Sequence, residues 1–269
     1  YRRIKCMSEN VALSGKGLSF GGSLVRPEAT GFGAVYYLES VLQHEGDTIK
    51  GKTIAASGFG NVCWGICTKA AQLGAKVVTL SGPDGYVYDP EGVCTKEKID
   101  FLLEMRASGH DKVQDYADKF GCQFVAGEKP WGVKADIIMP AATQNDVNME
   151  QAKKIVANGI KYYIEVANMP TTNDALRYLM DQKNMIVAPS KAVNAGGVSV
   201  SGLEMSQNQE HLSWTAEEVD SKLRQIMKNI HDSSAAAAER YGLGYNLVAG
   251  ANIVGFQKVA DAMMAQGWV

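Results

Sequence analysis

The sequence predicts an α/β fold: a mostly parallel, doubly wound sheet with flanking helices and a helical C-terminal segment. Three observations predict it. Short apolar runs alternate with helical patterns between residues 52 and 189, as in a parallel sheet with helical crossovers. One such run enters Gly58-Phe59-Gly60 and then a helical pattern, which reads as strand, tight turn and helix. After residue 189 the strand-like runs stop and three helical stretches follow.

The elements follow in order. Residues 1–26 are polar and glycine-rich, with weak periodicity, and read as a connector. Pro27 fits a first helical position and Glu28 suits a first turn. Val35, Leu38, Val41 and Leu42 recur at helical spacing, so 28–45 is a helix ended by Gly46-Asp47. Strands are expected at 53–56, 76–80, 136–139, 162–166 and 185–188. Helices are expected at 61–73, 95–107, 111–120, 148–157 and 172–182, with right-handed crossovers. The last three helices should cover about 199–211, 215–240 and 246–265. Thr215-Ala216-Glu217-Glu218 reads as a capping box without its apolar staple.

Bulk properties exclude several function classes. A length of 269 residues allows one large α/β domain with appendages or two modest domains. A net charge of −2 gives no reason to expect nucleic acid as a partner. No apolar run is long enough to span a bilayer, and the first residues lack the apolar stretch of a signal peptide. The five cysteines (Cys6, Cys63, Cys67, Cys94, Cys122) are odd in number and have no CxxC spacing. Cys63 and Cys67 share a helix face, but nothing completes a zinc site. Free thiols in a reducing cytoplasm, and no metal, are the expectation.

The glycine turn carries the first functional signal. A strand–turn–helix of this kind gathers backbone N–H groups and a helix N-terminus where a pyrophosphate can sit. Gly58 and Gly60 match the first two glycines of GxGxxG/A; Cys63 departs at the third, although it is small. Beyond the second strand lies Ser81-Gly82-Pro83-Asp84-Gly85, without Arg or Lys. Asp84 can accept from a ribose diol and repel a 2′-phosphate, which favours NAD over NADP. The same residues also read as a plain turn. The loops after the later strands contain Thr143-Gln144-Asn145, Asn168 and Ser190-Lys191 to Asn194. They offer amides, hydroxyls and small residues, with Lys191 the one evident acid–base group. Neutral amides suit a carboxamide and ribose hydroxyls. For any single Asn, loop geometry or helix capping is the better reading; it is the three together, at corresponding strand ends, that point to a site.

Seven blocks extend this reading: SFGGSLVRPEATGFG (19–33), GFGNVCWG (58–65), SGPDGYVYDPEG (81–92), IIMPAATQND (137–146), EVANMPTT (165–172), PSKAVNAGGVSVSGLEMSQN (189–208) and NLVAGANIVGF (246–256). Together they resemble the hexameric glutamate dehydrogenases of bacteria, and the likeness runs through essentially the whole chain. The resemblance implies a Rossmann-like coenzyme domain over 27–245, the connector 1–26, and a C-terminal helix, 246–269, that returns to an N-terminal domain. That domain carries the family's catalytic lysine and aspartate and its carboxylate-binding lysines. No PMGGGKGG-like segment is present, so no catalytic residue is expected in this chain.

Residue by residue, the resemblance implies that Thr30, Ser57, Gly58, Phe59, Gly60, Asn61 and Val62 lie along the coenzyme. Ser81 and Asp84 would face the adenosine ribose, and Ala141, Ala142 and Asn168 the nicotinamide ribose. Asn194 would lie near nicotinamide and substrate. Arg26, Val198 and Ser201 would face the substrate, with Ser201 donating to its distal carboxylate. The hydroxyl at 201 points to glutamate rather than an apolar amino acid. The implied activity is reversible, NAD-dependent oxidative deamination of L-glutamate to 2-oxoglutarate and ammonia by a cytoplasmic homohexamer. This chain alone would be inactive, a monomer or a non-native dimer, with its last helix exposed, repositioned or buried against a second chain. The competing readings are a stand-alone NAD-binding regulatory module and a related amino-acid dehydrogenase.

Overall fold

Residues that alternate along five short strands decide where the core lies. A computed structural model describes residues 11, 13–109 and 112–267. Cys6, most of the first half of the expected connector, and the last two residues of the expected C-terminal segment fall outside that range. The strands are β1 (Thr53–Ala56), β2 (Lys76–Val77), β3 (Thr79–Gly82), β4 (Gly85–Tyr88), β5 (Gln123–Ala126), β6 (Ile137–Met139), β7 (Tyr162–Ile164) and β8 (Ile186–Ala188). The helices are α1 (Ala29–His44), α2 (Asn61–Gln72), α3 (Lys96–Ala107), α4 (Gln114–Phe120), α5 (Met149–Ala157), α6 (Asn173–Met180), α7 (Ser190–Val193), α8 (Ala195–Glu210), α9 (Ala216–Arg240) and α10 (Leu247–Gln266).

The main sheet runs β2-β1-β6-β7-β8 and every pairing in it is parallel. Strand side chains point alternately to its two faces. Ile54, Ala56, Ile137, Met139, Tyr162, Ile164 and Ala188 join one buried cluster with α1, α2, α8 and α9. Ala55, Ile138, Tyr163 and Val187 join a second with Trp131 and the buried faces of α5 and α6. Both faces are thus covered, as a parallel sheet requires.

The expected strand over 76–80 is two strands in different sheets. Val78 N–H donates to Ile54 O at 2.9 Å, the last ladder bond to β1. The Thr79 hydroxyl then stands in for backbone. It accepts from Ala56 N at 2.9 Å and donates to Ala56 O at 2.7 Å. With β1 satisfied by a side chain, the main chain leaves and forms the antiparallel sheet β3-β4-β5. β4 and β5 were not expected. Pro27 precedes the helix rather than opening it: Glu28 is the N-cap of α1. The capping box at Thr215 forms in full, with reciprocal bonds to Glu218 of 3.2 and 2.7 Å.

Helix α1 sits at the centre of the helical layer, with Val35, Tyr37, Leu38, Val41 and Leu42 all buried. Its N-terminal half presents Gly31 to α2 and Gly33 to α8. A Cβ at Gly31 would lie 2.3 Å from Val62 O, and one at Gly33 would lie 2.8 Å from Gly196 Cα. At these crossings backbone rests on backbone.

Candidate functional site

In sequence order the five parallel strands are arranged second, first, third, fourth, fifth, so the winding reverses between β1 and β6. Ligands of open α/β sheets bind beyond the strand ends at such a reversal. A cavity of ≈ 730 Å³ opens there, lined by residues 58–62 after β1, 81–83 at the end of β3, and 141–143 after β6. Arg106 of α3 and Lys129 complete its lining.

The turn after β1 is fixed by side chains on either side of it. Gly58 has φ +87°, and a Cβ there would lie 3.2 Å from Ala142 Cα. A side chain is therefore disfavoured by conformation and by space. The buried Ser57 Oγ accepts from Ala141 N at 3.0 Å and Ala142 N at 3.2 Å, which ties the loop after β6 to the turn. Ser81 Oγ accepts from Gly58 N at 2.9 Å, and Ser81 N donates to Gly58 O at 3.2 Å. Gly60 is the extended N-cap of α2, and no side chain caps that helix. Its first N–H groups remain available to an anion.

Eight of the expected coenzyme residues line this cavity: Gly58, Phe59, Gly60, Asn61, Val62, Ser81, Ala141 and Ala142. Ser57 lies beneath them as a brace. Asp84 is not part of the lining. Its carboxylate accepts from Val113 N and Gln114 N, each at 3.1 Å, and Pro83 forms that stretch of wall. Asn168 and Asn194 form a pair of their own, with Asn194 Nδ2 donating to Asn168 Oδ1 at 2.6 Å. Thr30 lies on α1 against α8, its Oγ1 2.4 Å from where a Cβ on Gly197 would be.

The expected substrate residues gather around α8. Arg26 Nε donates to Ser201 Oγ at 2.8 Å. Val198 lies three residues before Ser201 and is 71% exposed. Immediately before Arg26, Val25 holds φ +66°, a costly conformation for a β-branched residue. Lys191 bonds the Asn252 side chain of α10.

Three residues in these regions gave no sequence signal. Arg106 and Lys129 reach the cavity from elements remote in sequence. Lys129 Nζ lies 2.6 Å from Asp146 Oδ1, a carboxylate with no solvent exposure. Glu165, just beyond β7, accepts from Ser190 N at 3.1 Å and so holds the loop after β8; burial pushes its carboxyl up. Among the described residues no group of three or more His, Cys, Asp or Glu is placed to hold a metal. The thiols of Cys63 and Cys67 are buried and free. The Cys63 thiol beside it, together with burial, raises the pKa of Cys67. No helix among the described residues is long and apolar enough to cross a membrane.

The sequence matches the Glutamate/Leucine/Phenylalanine/Valine dehydrogenase family over residues 21–267. The chain belongs to this family. It is 76% identical to the NAD-specific glutamate dehydrogenase of Clostridium symbiosum over 267 residues, 99% of this chain and 59% of that protein. It is 59% identical to the NAD-specific glutamate dehydrogenase of Bacteroides fragilis, over 94% of this chain and 57% of the relative. A solved glutamate dehydrogenase superposes with a TM-score of 0.99 at 75% identity, covering all of this chain and 60% of that one. The chain therefore spans about three fifths of the length of these family members. The superposition covers all of this chain, α10 included.

Proposed function

We propose that the chain is the coenzyme-binding domain of an NAD-dependent glutamate dehydrogenase. The cavity at the β1–β6 reversal carries this reading. Its glycine turn disfavours a side chain at Gly58, its helix start is uncapped, and its charged lining residues are both cationic. Those features fit the pyrophosphate of a dinucleotide. The family relatives named NAD-specific favour NAD over NADP. With Asp84 held by α4, Pro83 and the Ser81 backbone, rather than a carboxylate, border the ribose.

The reaction is the reversible oxidative deamination of L-glutamate to 2-oxoglutarate and ammonia, in which NAD, when bound, supplies the hydride acceptor. This chain's residues position the partners. Residues 58–62 and 81–83 hold the adenosine half, and Ala141 and Ala142 admit the nicotinamide ribose. The Asn168–Asn194 pair offers amides to the nicotinamide end. Thr30 and Ser57 shape the same path. The Ser201 hydroxyl accepts from Arg26, which leaves its own proton to donate to the distal carboxylate of glutamate. Val198 covers the substrate's methylene chain. The acid–base residues belong to an N-terminal domain joined through the connector 1–26, and 246–269 packs on that domain. The whole enzyme is a cytoplasmic homohexamer.

The test is calorimetric titration of this chain with NAD and NADP, followed by an assay with glutamate. NAD binding tighter than NADP binding, with no glutamate-dependent NADH production, is the expected result. Robust NADH production by the 269-residue chain would sink the assignment of the acid–base chemistry to another domain. A stable hexamer in light scattering would contradict a hexamer built by contacts outside it.

A further inference from the structure

We infer that Arg106 is a phosphate ligand of the coenzyme cavity, acting with the N-terminus of α2 on the pyrophosphate. The inference rests on the coenzyme reading above and assigns a residue to the one contact that the glycine turn does not supply, a positive charge.

Arg106 lies in the last turn of α3, far in sequence from the turn. Its Nη1 is 2.6 Å from where a Cβ on Gly60 would stand, nearer than any other described residue apart from Gly60's own chain neighbours. The guanidinium is thus laid across the residue that caps α2. The two cations of the cavity differ in their company. Lys129 is matched by the buried Asp146 at 2.6 Å. Arg106 has no carboxylate partner among the described residues, and no acidic residue lines the cavity.

The placement is electrostatically unfavourable as it stands. The N-terminus of a helix carries roughly half a positive charge, and a guanidinium beside it is repelled. The C-terminus of α3 explains a cation in that helix's last turn. It does not explain a guanidinium turned on to Gly60. An anion between the two removes the conflict, and a pyrophosphate brings two negative charges to that point. Arginine's planar fork of donors suits phosphate oxygens better than a point charge does. Gly60 then has a second role besides the turn: it leaves space through which Arg106 reaches the anion.

The experiment compares the 269-residue chain with its Arg106→Leu and Arg106→Lys variants, titrated with NAD, ADP-ribose, NADP and adenosine. Arg106 is exposed, so the substitution removes no core contact. Arg106→Leu should weaken NAD and ADP-ribose about tenfold, the size of one charge-assisted hydrogen bond. Adenosine, which lacks phosphate, should change by less than about twofold, and Arg106→Lys should recover part of the loss. The melting temperature without ligand should stay the same or rise. Unchanged NAD affinity in Arg106→Leu, with the parent chain binding NAD, overturns the inference alone. A loss confined to NADP moves the contact to a 2′-phosphate and also overturns it. An equal loss for adenosine shows that charge is not the cause and overturns it too. Failure of the parent chain to bind NAD overturns both the inference and the coenzyme reading.

Discussion

Helices α9 and α10 follow one another in the chain and pack side by side, yet they are built on opposite plans. α9 buries Val219, Leu223, Met227, His231, Ser234 and Ala238, spaced three or four apart, together with Ala237. α10 buries only Leu247 and Gly250. Phe256 is 75% exposed and Met264 83% exposed, with Val259 and Met263 also open to solvent. Both helices have side-chain N-caps, Thr215 on Glu218 N and Asn246 on Ala249 N. Helix formation is therefore secured locally in both, and what separates them is where the apolar surface goes. A stripe of period 3.6 reports a partner within the chain. α10 has no such stripe, and the apolar surface of its second half stays open to solvent.

The comparison can be broken most forcefully in the α9 stripe. Leu223→Ala should cost about 3 kcal/mol, since it opens a fully buried site; urea unfolding measures it. A loss below about 1 kcal/mol would mean that the stripe is not the anchor described here. The caps test the claim of equality. Thr215→Ala and Asn246→Ala should each cost about 1 kcal/mol, and a large inequality between them would assign the difference to helix ends rather than faces.

A smaller effect concerns His231. It is buried in α9, with Nε2 2.6 Å from Tyr245 Oη and Nδ1 2.9 Å from Asp232. Burial holds its pKa below the ordinary value, against the pull of Asp232. The unfolded chain therefore binds more protons near pH 6, and stability falls as pH drops below about 6.5 through the folded-state value. His231→Asn should flatten that part of the stability–pH curve. An unchanged slope would exclude His231 as its source. The smallest effect belongs to α10. Phe256→Ser and Met264→Ser should shift the stability of this chain by no more than about 0.5 kcal/mol, while reducing its binding of a hydrophobic dye. A loss of several kcal/mol would show that the exposed face already has a partner in this chain.

Much of the fold was legible because local and global signals agreed. The five parallel strands, the helices between them and the Thr215 capping box all announce themselves by period or by residue type. The antiparallel sheet did not. Its start depends on Thr79 replacing backbone on β1, a bond between positions 23 residues apart that periodicity cannot register. The glycine turn was legible for the same reason as the strands, since its residues are contiguous. Asp84 was misleading as a bare residue type: turn chemistry placed it correctly in a loop, but its oxygens answer the N–H groups of α4 rather than the cavity. Arg106 and Lys129 were invisible, because nothing in a helix's last turn or a polar loop says which distant loop it will face. The Arg26–Ser201 bond spans 175 positions, and only the resemblance associates those two residues.

The glycine crossings of α1 bear on how such a domain moves. Where Gly31 meets Val62 and Gly33 meets Gly196 the nearest atoms are backbone, with only the Met227 sulfur also close at Gly33. Close-packed interiors of this kind transmit displacement instead of absorbing it. Thr30, Asn61 and Ser201 are mounted on the three helices so joined, so the wall around the glycine turn and the α8 face travel as one stiff plate. Any motion of this fold then preserves the spacing between the two groups of site residues.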